Sequence, residues 1–481
     1  MDRMILTILI FLPFVAGILL SFFNKKAAKA VAFVFVLIEM CITIALFFLF
    51  QQSNQLQFVV KHEWLSDLGI NYFVGVDGIS ILMVLLTGII VPLIILSSWR
   101  KEMDSPKLFF GMILLMQGAL MGVFLSMNAF MYYIFWELTL IPAYIILILW
   151  GGEGRKFITL KFFIYTLTGS VLMLIAFIFI YLYGAHSFDY DLLINYPICG
   201  CKQGFLFAFM MAAFMIKIPV FPLHTWQPQT YTMAPTAGTM LLSALMLKMG
   251  LYSILRWVIP ILPYASQHYG DFVIVLSLIG VVYASVIAIS QKNLKTLFAY
   301  SSMAHAGLIA AAFFSLNPIA IQGGLIQMFA HGIAIFGLFY IADIIQTRTD
   351  TNEIANLGGI KNIAPKFSGV YLVVLLSAVG LPLTAGFAGE FLMITGIFGH
   401  NAWMAAFAGL SIILSAVYML LSYKAVMLGP EKSYLFVFKD LTTRELIIFA
   451  IVILIVFIVG LFPGIFLKLT DPSIAGVLKF L

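Results

Sequence analysis

Fourteen long apolar runs, most of them near the 20 or so residues that carry an α-helix across a bilayer, divide this chain at short polar or Pro/Gly connectors. They cover residues 4–23, 31–50, 79–96, 108–125, 130–149, 162–183, 204–226, 236–259, 272–289, 297–314, 319–345, 367–399, 403–427 and 447–467. A chain with this pattern cannot fold as a soluble globule. Of its 481 residues 63% are hydrophobic and 10% charged, against about 25% charged in soluble domains. The expected fold class is therefore all-α, a polytopic membrane protein of fourteen transmembrane helices. The first run is too long for a cleaved signal peptide, and its basic cluster (Lys25, Lys26, Lys29) follows the apolar stretch instead of preceding it.

Nucleic-acid binding is excluded by the way charge is spread. The net +6 comes from 26 Lys and Arg scattered along the chain, with no cluster that could track phosphates. Their placement is a topology signal instead. Assigning connectors alternately to two sides puts 18 basic residues on one side, Arg100, Arg155, Lys292, Lys361 and Lys432 among them, and five on the other: Arg3, Lys61, Lys202, Lys468 and Lys479. The positive-inside rule makes the first side cytoplasmic and places both termini on the opposite side, as in a bacterial inner membrane. Three basic residues remain. Arg256 lies close to a helix end, where a long side chain is expected to snorkel to the headgroups. Lys217 and Lys248 have no such exit.

Cofactor signatures are absent. Cys41 reads as a small apolar residue within a span, and Cys199 and Cys201 form a C-x-C loop that supplies too few ligands for a metal site. Gly151-Gly152-Glu153-Gly154-Arg155-Lys156 lacks the G-K-[ST] ending of a phosphate loop. The chain is expected to carry no redox cofactor, nucleotide or metal.

An ionisable residue near a helix centre costs about 2.5 to 3.5 kcal/mol on insertion scales and is a functional hypothesis by default. Glu39, Glu137, Lys217, Lys248 and Glu390 are such residues, joined by His305, His331 and Asp343. Packing alone explains a single buried polar residue in many helical bundles, and for Glu39, Asp343, His305 or His331 taken singly that reading weighs equally. It fails for Glu137, Lys217, Lys248 and Glu390 together. Polar neighbours at helical spacing accompany them: Tyr133 and Tyr144 with Glu137, Tyr252 with Lys248, Ser301 and Ser302 with His305, and Gln327 with His331.

Two runs are interrupted. The seventh reads Lys217-Ile218-Pro219-Val220-Phe221-Pro222-Leu223-His224, and the twelfth Gly380-Leu381-Pro382-Leu383-Thr384-Ala385-Gly386, with Glu390 just beyond. Each proline removes a helical N–H donor, and broken backbone at membrane depth survives only where protein or water satisfies the freed groups. The seventh run is fourth in the set 4 to 8, and the twelfth is fourth in the set 9 to 13. This predicts two inverted five-helix repeats, with broken helices at corresponding positions marking the transport site. The expected organisation is residues 1–107 (helices 1 to 3), 108–259 (first repeat), 272–427 (second repeat) and 428–481 (C-terminal loop and helix 14).

These stretches resemble a known family. Lys217 to Trp226, Ala234-Pro235-Thr236-Ala237-Gly238, Leu247-Lys248-Met249-Gly250-Leu251-Tyr252, Gly75 to Ser80, Phe135-Trp136-Glu137-Leu138, Asn293 to His305 and Ala330-His331-Gly332 together resemble the antiporter-like membrane subunits of respiratory complex I and of Mrp-type cation/proton antiporters. Glu390, where the L-type and N-type complex I subunits and the antiporters carry Lys, favours a third complex I branch over a Na⁺/H⁺ antiporter subunit. One departure stands out: the family's H-V-E-A-P is Tyr231-Thr232-Met233-Ala234-Pro235 here. The resemblance implies a proton channel without redox chemistry of its own, driven by NADH oxidation and quinone reduction in other subunits and flanked by L-type and N-type neighbours in the bilayer. It implies a relay from Glu137 and Lys217 through Lys248, His305 and His331 to Glu390 as the exit. Lifting one charge against the membrane potential costs about 2.3 kcal/mol per 100 mV, which modest electrostatic switching between such groups can match.

Overall fold

The computed structural model describes residues 4–184, 186–432 and 438–481. Arg3, counted above on the less basic side, lies outside them. The helices are α1 (Ile5–Leu19), α2 (Lys25–Leu49), α3 (Gly78–Ser97), α4 (Pro106–Leu125), α5 (Ala129–Trp150), α6 (Arg155–Tyr183), the short α7 (Tyr190–Asn195), α8 (Gly200–Lys217), α9 (Gln227–Met233), α10 (Thr236–Leu241), α11 (Leu247–Ser253), α12 (Pro263–Ile289), α13 (Leu294–Phe314), α14 (Pro318–Thr349), α15 (Ile360–Ile363), α16 (Pro365–Val379), α17 (Ala385–His400), α18 (Ala402–Met427), α19 (Thr443–Leu461) and α20 (Pro463–Leu478).

Short polar side chains start many of these helices where an apolar run begins. Asn24, Asp77, Asn128, Asn293, Asn317 and Asn401 each accept a backbone N–H of the first turn, and Thr442 forms a reciprocal capping box with Glu445. Among the described residues twelve helices are long and apolar enough to cross a membrane. The two apolar runs missing from that set are the two expected to be interrupted. The chain leaves α8 at Lys217 and resumes at Gln227, and it leaves α16 at Val379 and resumes at Ala385.

Three expectations are corrected. The fold is not purely helical, because β1 (Gln57–Leu65) and β2 (Ile70–Val76) form an antiparallel hairpin in what reads as a connector. Its turn closes on Gly69, whose φ of +60° suits a residue without a Cβ. A further helix, α20, follows the last apolar run; its Lys468 and Asp471 conceal it from a hydropathy scan. Arg256 does not snorkel but is buried in an ion pair with Asp77.

The helical run from α10 to Val258 widens twice into π-helix, at Leu242–Met246 and Ile254–Val258, on either side of α11. By its contacts the chain divides into two compact units. Unit 1 comprises residues 4–218, 245–271 and 468–481, and unit 2 comprises 219–244 and 272–467. In unit 1, α8 packs on α6 and α11, and α4 packs on α5 and α1. One end of unit 1 is closed by the hairpin. The Met127 N–H donates to the Phe73 carbonyl, and the Asn71 and Asn128 amides donate to the Asp189 carboxylate at 2.6 and 2.8 Å, with Lys61 Nζ 2.9 Å from it. In unit 2 α14, buried along its apolar middle, forms the centre, flanked by α13, α16, α17 and α19.

Candidate functional site

The first set of charges lies in unit 1 around the end of α8. Lys217 occupies its last turn, where unpaired carbonyls favour a cation. The side chain is 2% exposed, its Nζ lies 5.0 Å from the centre of the Trp136 ring, and it has no hydrogen-bond partner among the described residues. Glu137, the next residue after that tryptophan on α5, is half-buried and within electrostatic reach of Lys217. Tyr133 and Ser170 stand near its carboxylate, and the Ser170 hydroxyl donates to the Leu167 carbonyl at 2.9 Å. Tyr144, expected on the same face, packs its ring against Phe163 at 5.4 Å.

Lys248 is fully buried on α11. Two residues on, Gly250 allows this helix to lie directly on the end of α8. A Cβ there would come within 2.6 Å of Ile218 Cγ1 and 3.1 Å of the Phe214 carbonyl. The flanking π-helical turns rotate the side chains of α11 relative to a regular helix, a distortion frequent at functional positions.

The second set lies in unit 2. Glu390, in the second turn of α17, is clasped from two other helices: His305 Nδ1 of α13 is 3.2 Å from its Oε1, and Gln327 Nε2 of α14 donates to the same oxygen at 3.3 Å. The His331 ring lies 5.5 Å from that of His305. Gly380 at the break makes room for the carboxylate, since a Cβ there would fall 2.5 Å from Glu390 Oε2. Two spaces of different size lie here, one against the partners His305 and Gln327 and one against Glu390 itself. A void of about 10 Å³, lined by Ser301, His305, Gln327, His331 and Ser377 among mostly apolar neighbours, is near the minimum for one water. A cleft of about 300 Å³ lined by Gly380, Glu390, Phe391 and Thr395 among others is far wider.

Elsewhere the outcomes differ. Asp343 is buried beside Tyr340, which also feels Arg348, Arg444 and Glu445; Arg348 Nη2 pairs with Glu445 Oε2 at 2.6 Å. That surrounding ion network suits a structural role. Glu39 is buried on α2. Tyr231 and Met233, where the family carries His and Glu, are both buried, and the Tyr231 ring packs at 6.0 Å on Phe339. Cys199 and Cys201 are exposed, with sulfurs 2.8 Å apart.

Among the buried charged groups that escaped the reading of the sequence are Arg256 and Asp77. Arg256 Nη2 lies 2.6 Å from Asp77 Oδ1 and donates to Ser80 Oγ at 3.3 Å, while Nε donates to the Tyr252 hydroxyl at 3.2 Å. The available signal was the spacing Lys248, Tyr252, Arg256, which places all three along one helical face.

Comparison with known proteins agrees with this architecture. Residues 126–415 match the family described as NADH:quinone oxidoreductase/Mrp antiporter, TM, and residues 5–125 match NADH-ubiquinone oxidoreductase chain 4, amino terminus. NADH-quinone oxidoreductase subunit M of Rickettsia prowazekii is 40% identical over 98% of both chains. A chain in the structure of respiratory complex I from Thermus thermophilus with bound NADH superposes with a TM-score of 0.91 at 30% identity, covering 100% of this chain and 99% of that one. A chain of the Mrp complex from Dietzia superposes with a TM-score of 0.89 over 99% of this chain and 98% of that one, at 17% identity, a likeness of fold alone. The chain belongs to the family of NADH-quinone oxidoreductase subunit M and NADH-ubiquinone oxidoreductase chain 4, the antiporter-like membrane subunits of complex I.

Proposed function

We propose that the two buried charge sets are the proton-handling parts of this complex I subunit. A proton is taken up at the Glu137 and Lys217 pair, passes to Lys248, and leaves through His305, His331 and Glu390. The observation that carries the reading is the coincidence of broken helix with buried charge: Lys217 ends one helix at its break, and Glu390 lies one turn past the start of the helix that follows the other. Opposite charges nearby hold each partner in its charged form, and withdrawing one lets burial favour the neutral form of the other. Movement of Glu137, or a charge brought near it by a neighbouring subunit, then decides whether Lys217 keeps its proton. In unit 2 the void beside His305 and His331 is near the size of one water, while Glu390 borders the wider cleft, which suits an exit group.

With the two interrupted helices counted, the reading is fourteen spans in two inverted five-helix repeats, with both termini on the non-cytoplasmic side of a bacterial inner membrane. L-type and N-type antiporter-like subunits flank it, and the redox cofactors belong to other subunits of the complex.

The test is NADH-driven acidification of inverted membrane vesicles, followed alongside NADH:quinone turnover and the amount of assembled complex. Lys217→Ala should abolish acidification in assembled complex. Normal acidification by that variant overturns the proposal.

A further inference from the structure

The hairpin end of unit 1 contains a polar cluster that the relay does not use. Asp77 caps α3, accepting the Ile79 and Ser80 N–H groups on Oδ1, and pairs with Arg256 on the same oxygen. The guanidinium lies 5.0 Å from the centre of the Tyr190 ring, directly under the closed end of the unit described above. Arg256 is 2% exposed, so this is not a surface ion pair. Two helical turns separate it from Lys248, about 12 Å at 1.5 Å per residue, with Tyr252 between them.

The direction of the hydrogen bonds decides what such a cluster can do. Arginine has only donors and does not give up its proton in a protein. Here it donates to Tyr252 Oη and to Ser80 Oγ. The Tyr252 hydroxyl in turn donates to the Phe124 carbonyl at 3.1 Å, so the 3.2 Å contact between Ser80 Oγ and Tyr252 Oη has serine as its donor. Both hydroxyl protons are thus committed, and the chain of donors ends on a backbone carbonyl that cannot pass a proton on. A proton arriving from Lys248 meets a fixed positive charge and a wire oriented against it. Positive groups fixed across narrow pores exclude protons and cations in the same way.

We propose that Asp77, Arg256, Ser80 and Tyr252 form a proton barrier that seals unit 1 on the hairpin side, so that a proton reaching Lys248 does not escape there. Asp77 and Arg256 are positioning residues in this scheme: they hold the donors in place and touch no transferred proton. The inference rests on the relay reading above, because a barrier matters only if Lys248 is loaded.

The experiment imposes a pH step across vesicles containing the assembled complex, without NADH, and follows its decay with an internal pH dye. The double variant Asp77→Asn, Arg256→Gln keeps the pair neutral overall, removes the fixed cation and leaves room for water. Its gradient should decay several-fold faster than that of the unaltered complex. Arg256→Lys retains the charge and should hold the gradient, and adding Lys217→Ala to the double variant should restore tightness. A tight double variant, an Arg256→Lys variant as leaky as the double, or a leak that survives Lys217→Ala each overturns the barrier. If the double variant does not assemble, Arg256→Gln alone is expected to show the same leak, and its tightness would count against the proposal equally. NADH-driven acidification by Lys217→Ala alone judges the relay separately.

Discussion

The two broken helices hold their charges in opposite ways. At the first, Lys217 faces an aromatic ring and a carboxylate on a neighbouring helix, with no direct hydrogen bond among the described residues. At the second, Glu390 is gripped by His305 and Gln327 from two separate helices. A long, loosely held cation can change partners at little cost; a carboxylate with two donors on one oxygen is held in place. One kind of backbone break can thus hold a charge loosely or firmly; in the relay proposed above the loose one is the movable charge at uptake and the firm one the fixed charge at release.

The comparison breaks most readily at Lys217. Replacing it or Glu137 by Ala should abolish NADH-driven acidification, because nothing else described near the first break can substitute. Next in size, Glu390→Ala should reduce acidification strongly, with Glu390→Asp and Glu390→Lys retaining more. Equal acidification by all three variants would remove the exit role. Gln327→Ala deletes one donor to a charged group, worth about 1.5 to 3 kcal/mol, yet leaves His305 in place; acidification should fall about tenfold at a fixed NADH oxidation rate.

Much of this was legible in the residues before any coordinates. Pro219 and Pro222, and Pro382 between Gly380 and Gly386, mark breaks that local backbone chemistry dictates. Lys217 and Glu390 stand out because charge at membrane depth is costly wherever it points. Pairings were not legible. Gln327 and Glu390 are separated by 63 residues, and Asp77 and Arg256 by 179, so no local pattern joins them. Arg256 was misread for a physical reason: an arginine three residues from the end of an apolar run has the same local signature whether it reaches headgroups or a buried carboxylate. The hairpin was missed because Lys61-His62-Glu63-Trp64 reads as a polar connector when its pairing strand is unknown. The division into units, which assigns residues 219–244 to one and 245–271 to the other, cuts a helical run that is continuous in sequence.

The smallest expected effect sharpens the contrast between loose and held charges. Tyr133→Phe removes one of the two hydroxyls that stand near the Glu137 carboxylate and leaves Ser170. A typical hydrogen bond contributes about 1 kcal/mol net, roughly a fivefold change. Glu137 is only half-buried, which lets water take the place of the hydroxyl and reduces the loss further. Acidification should therefore drop by no more than about fivefold, less than for Gln327→Ala at the buried Glu390. Acidification rates of the two variants, normalised to assembled complex, decide the matter. If Tyr133→Phe proves as severe as Lys217→Ala, Glu137 depends on a fixed hydrogen-bond geometry, and the first break holds its charges as firmly as the second.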